Sequence, residues 1–442
     1  MNLLHLWVLL RKRTREANRD FRDPGAITGV LTVIAFASVT ALLLVVVGGV
    51  GAFAARAELP NASENAQTYL VFAYIAAGLL LVPLATMGGA AARLIVARRD
   101  ERLANLRLLG ATTSQITGLS ALDAASQSIA GALLGAVAYF GLIPLVGLVP
   151  FEGHGFGFAE LWVGAPLLVG VVVAVVVLGI ASAVLGLRRV VVSPLGVTKR
   201  ESTPGLGAIR LAVLAVALIA MVVATSTPAA SIAFIAIVLV IGLATLNVVG
   251  PFFVGMVGRL YVSGARSAPD LLAARRIIDD PKTAWRSVGG VALATFIAGL
   301  ASVMALFSKA SNPEEQLFMT DVSTGGYLTL AIAGVLAAIS TGVTQAGRVI
   351  SQREQYRNLH LAGAEVEVLE KARMRETVVP MVAAVGLALG ASALFMLPVL
   401  GAGFFSSIPV LLRFVASVVF AVGLVLLGAG ASRGLARAAA AL

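Results

Sequence analysis

Few residues in this chain have the type and spacing that chemistry requires. The five lysines are Lys12, Lys199, Lys282, Lys309 and Lys371, and none follows a glycine. A phosphate-binding Walker loop needs Gly-Lys-Ser/Thr, so that backbone N–H groups and the lysine together cradle the phosphates. ATP hydrolysis is therefore not expected of this chain. His5, His154 and His360 lie far apart, and there is neither an HExxH pair nor an acidic cluster with ligand spacing. Cysteine is absent, which removes thiolate ligands, a cysteine nucleophile and disulfides. One G-x-S-x-G match, Gly430 to Gly434, has no strand before it and too few residues after it for an acid and a histidine, and is read as chance. No catalytic, cofactor-binding or metal-binding residue is expected.

The remaining ionisable groups of interest sit at the ends of apolar stretches. Asp123 and Glu376 lie at membrane edges, where a carboxylate pairs with a neighbouring arginine or caps a helix. Strong dependence of function on Asp123 would instead mark a proton relay. Arg413 begins an apolar stretch and is expected to snorkel outward. Gly131/Gly135 and Gly386/Gly390 are spaced by four, which lets helices approach closely.

The elements that must position these groups are membrane helices. Of 442 residues, 59% are apolar and only 12% charged, and the mean hydropathy is +0.96. Charge at about half the usual share cannot cover the surface of two or three soluble domains. Taking roughly 20 mostly apolar residues per crossing, ten spans are predicted: 27–55, 68–95, 117–147, 161–187, 208–226, 231–258, 288–308, 325–349, 377–400 and 408–431. Residues 1–26, with an apolar Leu3–Leu10 stretch followed by Arg11, Lys12, Arg13, Arg15, Arg19 and Arg22, suit an amphipathic helix on the inner face. A secretory signal would place its positive charge first.

With the N-terminus inside, 30 of the 33 Lys and Arg residues fall in inner segments, and only Arg56, Lys309 and Arg413 fall on or near the outside. The outer loops instead carry Glu58, Glu64, Glu152, Glu160, Glu314, Glu315 and Asp321. The net charge of +11 thus reflects topology, with both termini cytoplasmic, and nucleic acid is not an expected partner.

The chain also repeats itself. DERLANLRLLGA (Asp100 to Ala111) and REQYRNLHLAGA (Arg353 to Ala364) share six of twelve residues at an offset of 253. Upstream, Ala17, Arg19, Asp23 and Pro24 align with Ala274, Arg276, Asp280 and Pro281 at an offset of 257, and Asp123 maps onto Glu376. The expected organisation is a four-span repeat (27–200), two linking spans (201–260) and a second four-span repeat (261–442). Because four is even, the two copies share one orientation.

Each repeated inner segment follows a span that has no helix breaker, so the span is expected to continue into the cytoplasm. Gly110 is a helix stop, and Thr112, Thr113 and Ser114 suit the cap of the next helix. In the second copy Gly363 is followed by Glu365, Glu367 and Glu370. A short helix, a glycine turn and re-entry into the membrane form an element that a cytoplasmic partner could grip.

These residues carry a resemblance. Ala97 to Ile116, ARRDERLANLRLLGATTSQI, is similar to the signature between the second and third helices of FtsX-like ABC transporter permeases, a family that includes the MacB, LolC/LolE and BceB types. Arg188 to Glu201, RRVVVSPLGVTKRE, resembles the basic stretch after their fourth helix, and the ten-helix layout is most like BceB-type permeases. The resemblance implies a multi-pass subunit in a bacterial plasma membrane, working with a separate cytoplasmic ATPase dimer that holds ATP and Mg. By position, the ATPase-coupling residues would be Glu101, Arg102, Leu106, Gly110 and Thr112, and Glu354, Leu359, Gly363 and Glu365. His360 stands where Arg107 does, and acids replace hydroxyls after the second glycine, so the two contacts would not be equivalent.

The outer loops, roughly 56–67 and 309–324, are too short for the extracytoplasmic domain usual in such permeases. The expected function is therefore to couple ATP hydrolysis to export or extraction of a lipid-like or amphipathic molecule, or to transmit force across the membrane. Two alternatives stand beside it. One is a regulator of an extracellular partner such as a cell-wall hydrolase, and the other is an ion-coupled secondary transporter.

Overall fold

Long apolar runs in this chain can satisfy their backbone hydrogen bonds in lipid only by coiling into helices, and the computed structural model shows that outcome. It describes residues 24–60, 62–97, 112–191, 232–304, 312–351, 358, 361, 363, 365–400, 412, 415–420, 422–423 and 426–427. The helices are α1 (Pro24–Ala57), α2 (Ala66–Ala97), α3 (Thr113–Gly147), the single turn α4 (Phe158–Leu161), α5 (Ala165–Val191), α6 (Ile232–Ser263), α7 (Ala268–Asp279), α8 (Pro281–Met304), α9 (Pro313–Ser351) and α10 (Val366–Leu400). Among the described residues the only β-structure is one antiparallel bridge, Phe151 to His154. The protein is an all-α polytopic membrane protein.

Seven stretches among the described residues are long and apolar enough to cross a membrane: Gly29–Ala57, Ala66–Gly89, Thr117–Gly147, Ala165–Val184, Thr245–Ser263, Pro313–Thr344 and Lys371–Ala393. The expected spans 208–226 and most of 408–431 lie outside the described residues, as does the expected amphipathic helix up to Asp23. The expected seventh span, 288–308, overlaps α8, which begins seven residues earlier at Pro281 and is described to Met304. Its Val288, Val291, Ala292, Leu293, Ala294 and Ala298 are fully buried, enclosed by α6, α9 and α10.

The two halves pack by the same pattern. In the first, α1 lies between α2 and α3; in the second, α8 lies between α9 and α10. The halves meet where α2 packs against α9, with α6 touching α2, α8 and α10. Gly131 and Gly135 of α3 face α1 directly. A Cβ on Gly131 would lie 2.5 Å from Phe36 Cβ, and one on Gly135 would lie 2.7 Å from Thr40 Cβ and closer still to the Ala37 carbonyl. Gly386 and Gly390 behave differently, since a Cβ on either meets nothing within 4 Å. The same four-residue spacing thus marks a close helix contact in α3 and an open face in α10, because only the α3 stripe is turned toward a neighbour.

Two further helix starts differ from expectation. α9 begins at Pro313 with Glu314 and Glu315 in its first turn, a favoured proline position followed by acids that suit the N-terminal dipole. The expected outer loop 309–324 is therefore helical from residue 313, and Asp321 lies inside a helix, 3% exposed. At 39 residues and 1.5 Å per residue, α9 reaches well beyond a hydrocarbon core of about 30 Å. Likewise α10 starts at Val366 instead of 377, so Glu376 stands in its third turn.

Candidate functional site

Three regions of polar side chains stand out along the helices. The first lies where the repeated inner segments rejoin the membrane. α2 runs through Ala97 and α9 through Ser351, so both lead directly into the repeats. Glu101, Arg102, Leu106, Gly110, Glu354 and Leu359 lie outside the described residues. Thr112 is the N-cap of α3. Its hydroxyl accepts from the Gln115 N–H at 3.3 Å while its own N–H donates to Gln115 Oε1 at 3.0 Å, a capping box that satisfies helix-end donors. At the aligned position Glu365 precedes α10 and is exposed. Gly363 has φ +94°, a left-handed conformation that favours glycine. In the next turn Lys371 reaches Glu367 at 2.6 Å and holds its carboxyl below the usual range.

The second region is the connection between α6 and α8. Only residues 264–267 and Asp280 flank the amphipathic α7, whose Pro269, Ala273, Ala274 and Ile277 are buried against α6 and α10. Asp270 anchors it. The carboxylate accepts from the Ser267 hydroxyl at 2.6 Å and from the Tyr261 hydroxyl, and pairs with Arg375 at 2.8 Å. These bonds, the Ser267 hydroxyl foremost, hold Asp270 below its ordinary carboxylate range. Glu376 pairs with Arg276 at 3.4 Å, with 6% and 13% of the two side chains exposed. Asp280 caps α8, accepting from Thr283 N–H at 3.0 Å, and Pro281 is the first helical residue. The aligned Pro24 is likewise the first residue of α1, and Asp23 lies outside the described residues. Asp123, the counterpart of Glu376, is half-buried in α3.

The third region, on the opposite face, was not singled out from the sequence. Arg56 at the end of α1 is 5% exposed and surrounded by acceptors from the 148–164 connection. Its Nε and Nη2 donate to the two carboxylate oxygens of Glu160 at 3.1 Å each, Nη1 to the Phe151 carbonyl at 3.2 Å and Nη2 to the Gly155 carbonyl at 3.2 Å. Glu152 stands 3.4 Å away, and the guanidinium lies 4.2 Å over the Phe156 ring. The two-pronged bond from Arg56 is the chief reason the Glu160 carboxyl is held below its usual range. The turn that presents these groups places Glu152 at φ 56° and Gly153 at φ 81°.

Asp321 then ties this cap to the other half. Its Oδ2 accepts from the Tyr69 hydroxyl of α2 at 2.7 Å and from the Glu152 N–H at 2.7 Å. Around it, Phe53 stacks on Tyr69 at 6.0 Å and meets Phe151 and Phe156 edge-on, while Phe318 of α9 meets Tyr69 at 5.2 Å. An outer-loop acid (Asp321) and an arginine at a span end (Arg56) are visible in the sequence, but their partners lie 95 to 252 residues away. Among the described residues no group of three His, Asp or Glu side chains is placed to hold a metal ion. Among the described residues, all three regions tie helices to one another or to their connections.

With this geometry in place, residues 90–194 match the sequence model of the FtsX-like permease C-terminal family. The matched segment runs from the end of α2 through α3, the Arg56-binding connection and α5. The match covers about a quarter of the chain and, with the multi-pass helices, supports an ABC transporter permease subunit in general; the matched family is one of membrane permeases. A comparison with curated proteins finds no match to the chain, and neither does a comparison with solved structures.

Proposed function

We propose that this chain is the membrane subunit that couples a separate cytoplasmic ATPase dimer to movement of helices across the bilayer. The observation that carries this reading is the FtsX-like match over 90–194, which contains the first repeated segment with Glu101, Arg102, Leu106, Gly110 and Thr112. The second segment, with Glu354, Leu359, Gly363 and Glu365, supplies the other, non-equivalent contact. The basic face, which holds both segments, is then cytoplasmic.

α2 and α9 lead into the two segments and also pack against each other. Closure of the ATPase dimer moves their inner ends, and the Tyr69–Asp321 bond between the same two helices lies toward the other face. Such a cycle does work only through contacts that differ between states. The cargo in this reading is lipid-like or amphipathic, because the described connections between helices on the acidic face are short and contain no folded domain to capture a large ligand.

The test is co-purification of the full chain with its ATPase from membranes. Reversing charge at Arg102 and Glu354 together should abolish association, whereas reversal at exposed Glu58 on the other face should not. Undiminished ATPase recovery with Arg102→Glu and Glu354→Lys would overturn the coupling role. A chain that functions without any ATPase but fails with Asp123→Asn would favour an ion-coupled transporter instead.

A further inference from the structure

We propose that α7 and the helix ends beside it form a binding surface for anionic phospholipid headgroups of the leaflet on the basic face. α7 must lie at that membrane boundary. It joins α6, which holds the span Thr245–Ser263, to α8, which is enclosed within the helix bundle, and only a few residues connect it on each side. Its buried edge is consumed by α6 and α10, and the opposite edge is open.

The open edge is both apolar and basic. Leu271 and Arg275 stand one turn apart on it, with Leu271 46% exposed, while Ile278 is half-buried against Gly258 of α6. Leu260 at the end of α6, 65% exposed, extends the apolar part. Arg259, Arg266, Arg275, Lys282 and Arg286 are all exposed, and none forms an ion pair among the described residues. The nearby acids are largely committed: Asp270 to Arg375, Ser267 and Tyr261, Glu376 to Arg276, and Asp280 to the cap of α8. Asp279 and Asp280 are both exposed on the same segment, Asp280 with one oxygen engaged by the Thr283 N–H.

Five exposed cations against two exposed acids, with exposed leucines beside them, match a phosphodiester carrying net negative charge. A zwitterionic headgroup brings its own cation and gains less. Each Lys or Arg near an anionic surface contributes about 1 kcal/mol, or about fivefold in affinity.

The test places the full chain in bilayers containing photoreactive phosphatidylglycerol or photoreactive phosphatidylcholine and measures cross-linking to the peptide 259–286. Wild type should favour the anionic probe. Combining Arg275→Gln, Lys282→Gln and Arg286→Gln should lower that preference by about 100-fold, toward parity. The charge-preserving pair Arg275→Lys and Arg286→Lys should retain it. Should the triple variant not fold, wild type itself decides: the preference should collapse in 1 M salt, where screening acts over about 3 Å. Equal labelling by both probes, or a preference that survives 1 M salt, overturns the proposal. A triple variant that keeps its lipid preference but loses ATPase association also overturns it, and assigns the patch to a protein partner.

Discussion

Substituting alanine into the two glycine pairs should have effects of opposite sign. In a helix interior alanine is intrinsically favoured over glycine by about 1 kcal/mol. At Gly386 and Gly390 nothing lies within 4 Å of the added methyl, so Gly386→Ala and Gly390→Ala should be neutral or stabilise by up to about 1 kcal/mol. At Gly131 the methyl carbon would sit 2.5 Å from Phe36 Cβ, where carbon atoms at rest stand about 3.5–4.0 Å apart. Relief requires α1 and α3 to separate by an ångström or more, since the obstructing atoms are Cβ and backbone and not the movable end of a side chain. Overpacking of this kind costs about 1–3 kcal/mol. Gly131→Ala and Gly135→Ala should therefore each destabilise the chain despite alanine's helix preference. The assay is denaturant unfolding of the purified chain in mixed micelles, followed by loss of helical signal. Equal effects of the two pairs, or stabilisation by Gly135→Ala, would refute the claim that α1 and α3 meet at glycine distance.

Three further outcomes are expected. Asp321→Ala leaves the Tyr69 hydroxyl and Glu152 N–H without their acceptor and should destabilise by about 1.5–3 kcal/mol for each such bond; a double-mutant cycle with Tyr69→Phe should show clear non-additivity, and additive effects would deny the bond between halves. Glu376→Gln removes a charged partner of Arg276 and should destabilise by about 1.5–3 kcal/mol, and the exchange Arg276→Glu with Glu376→Arg should recover part of it in the same assay. The Glu160 carboxyl is held below its usual range by Arg56, so its folded pKa lies beneath the unfolded one. Its stabilisation is complete above the ordinary glutamate value and is lost as pH falls through the depressed one. Thermal midpoints should be flat from about pH 5.5 to 8 and fall below about 4.5, with the Glu160→Gln variant showing a shallower acid decline.

Local signals in the sequence proved legible wherever a few neighbouring residues decide the conformation. Thr112 and Gln115 form their cap within one turn, and Gly363 takes a left-handed turn. The repeat placed Arg276 opposite Arg19 and Glu376 opposite Asp123, and Arg276 and Glu376 form an ion pair in the fold. Asp321 was assigned to an outer loop because hydropathy weighs composition and cannot see that Pro313, Glu314 and Glu315 start the helix earlier. The Arg56 cluster was missed because its acceptors include the carbonyls of Phe151 and Gly155, which leave no mark on residue type.

The sequence by itself determined that this is a helical membrane protein with a basic and an acidic face, because lipid imposes length, apolarity and charge asymmetry on each helix separately. Those demands are local and can be read one helix at a time. The tertiary structure alone decided which glycines face a neighbour, which acid pairs with which arginine, and that Asp321 joins the two halves through Tyr69. Such contacts depend on the rotation of one helix relative to another. In lipid that rotation is set by close packing and hydrogen bonding between surfaces, which no run of apolar residues encodes alone.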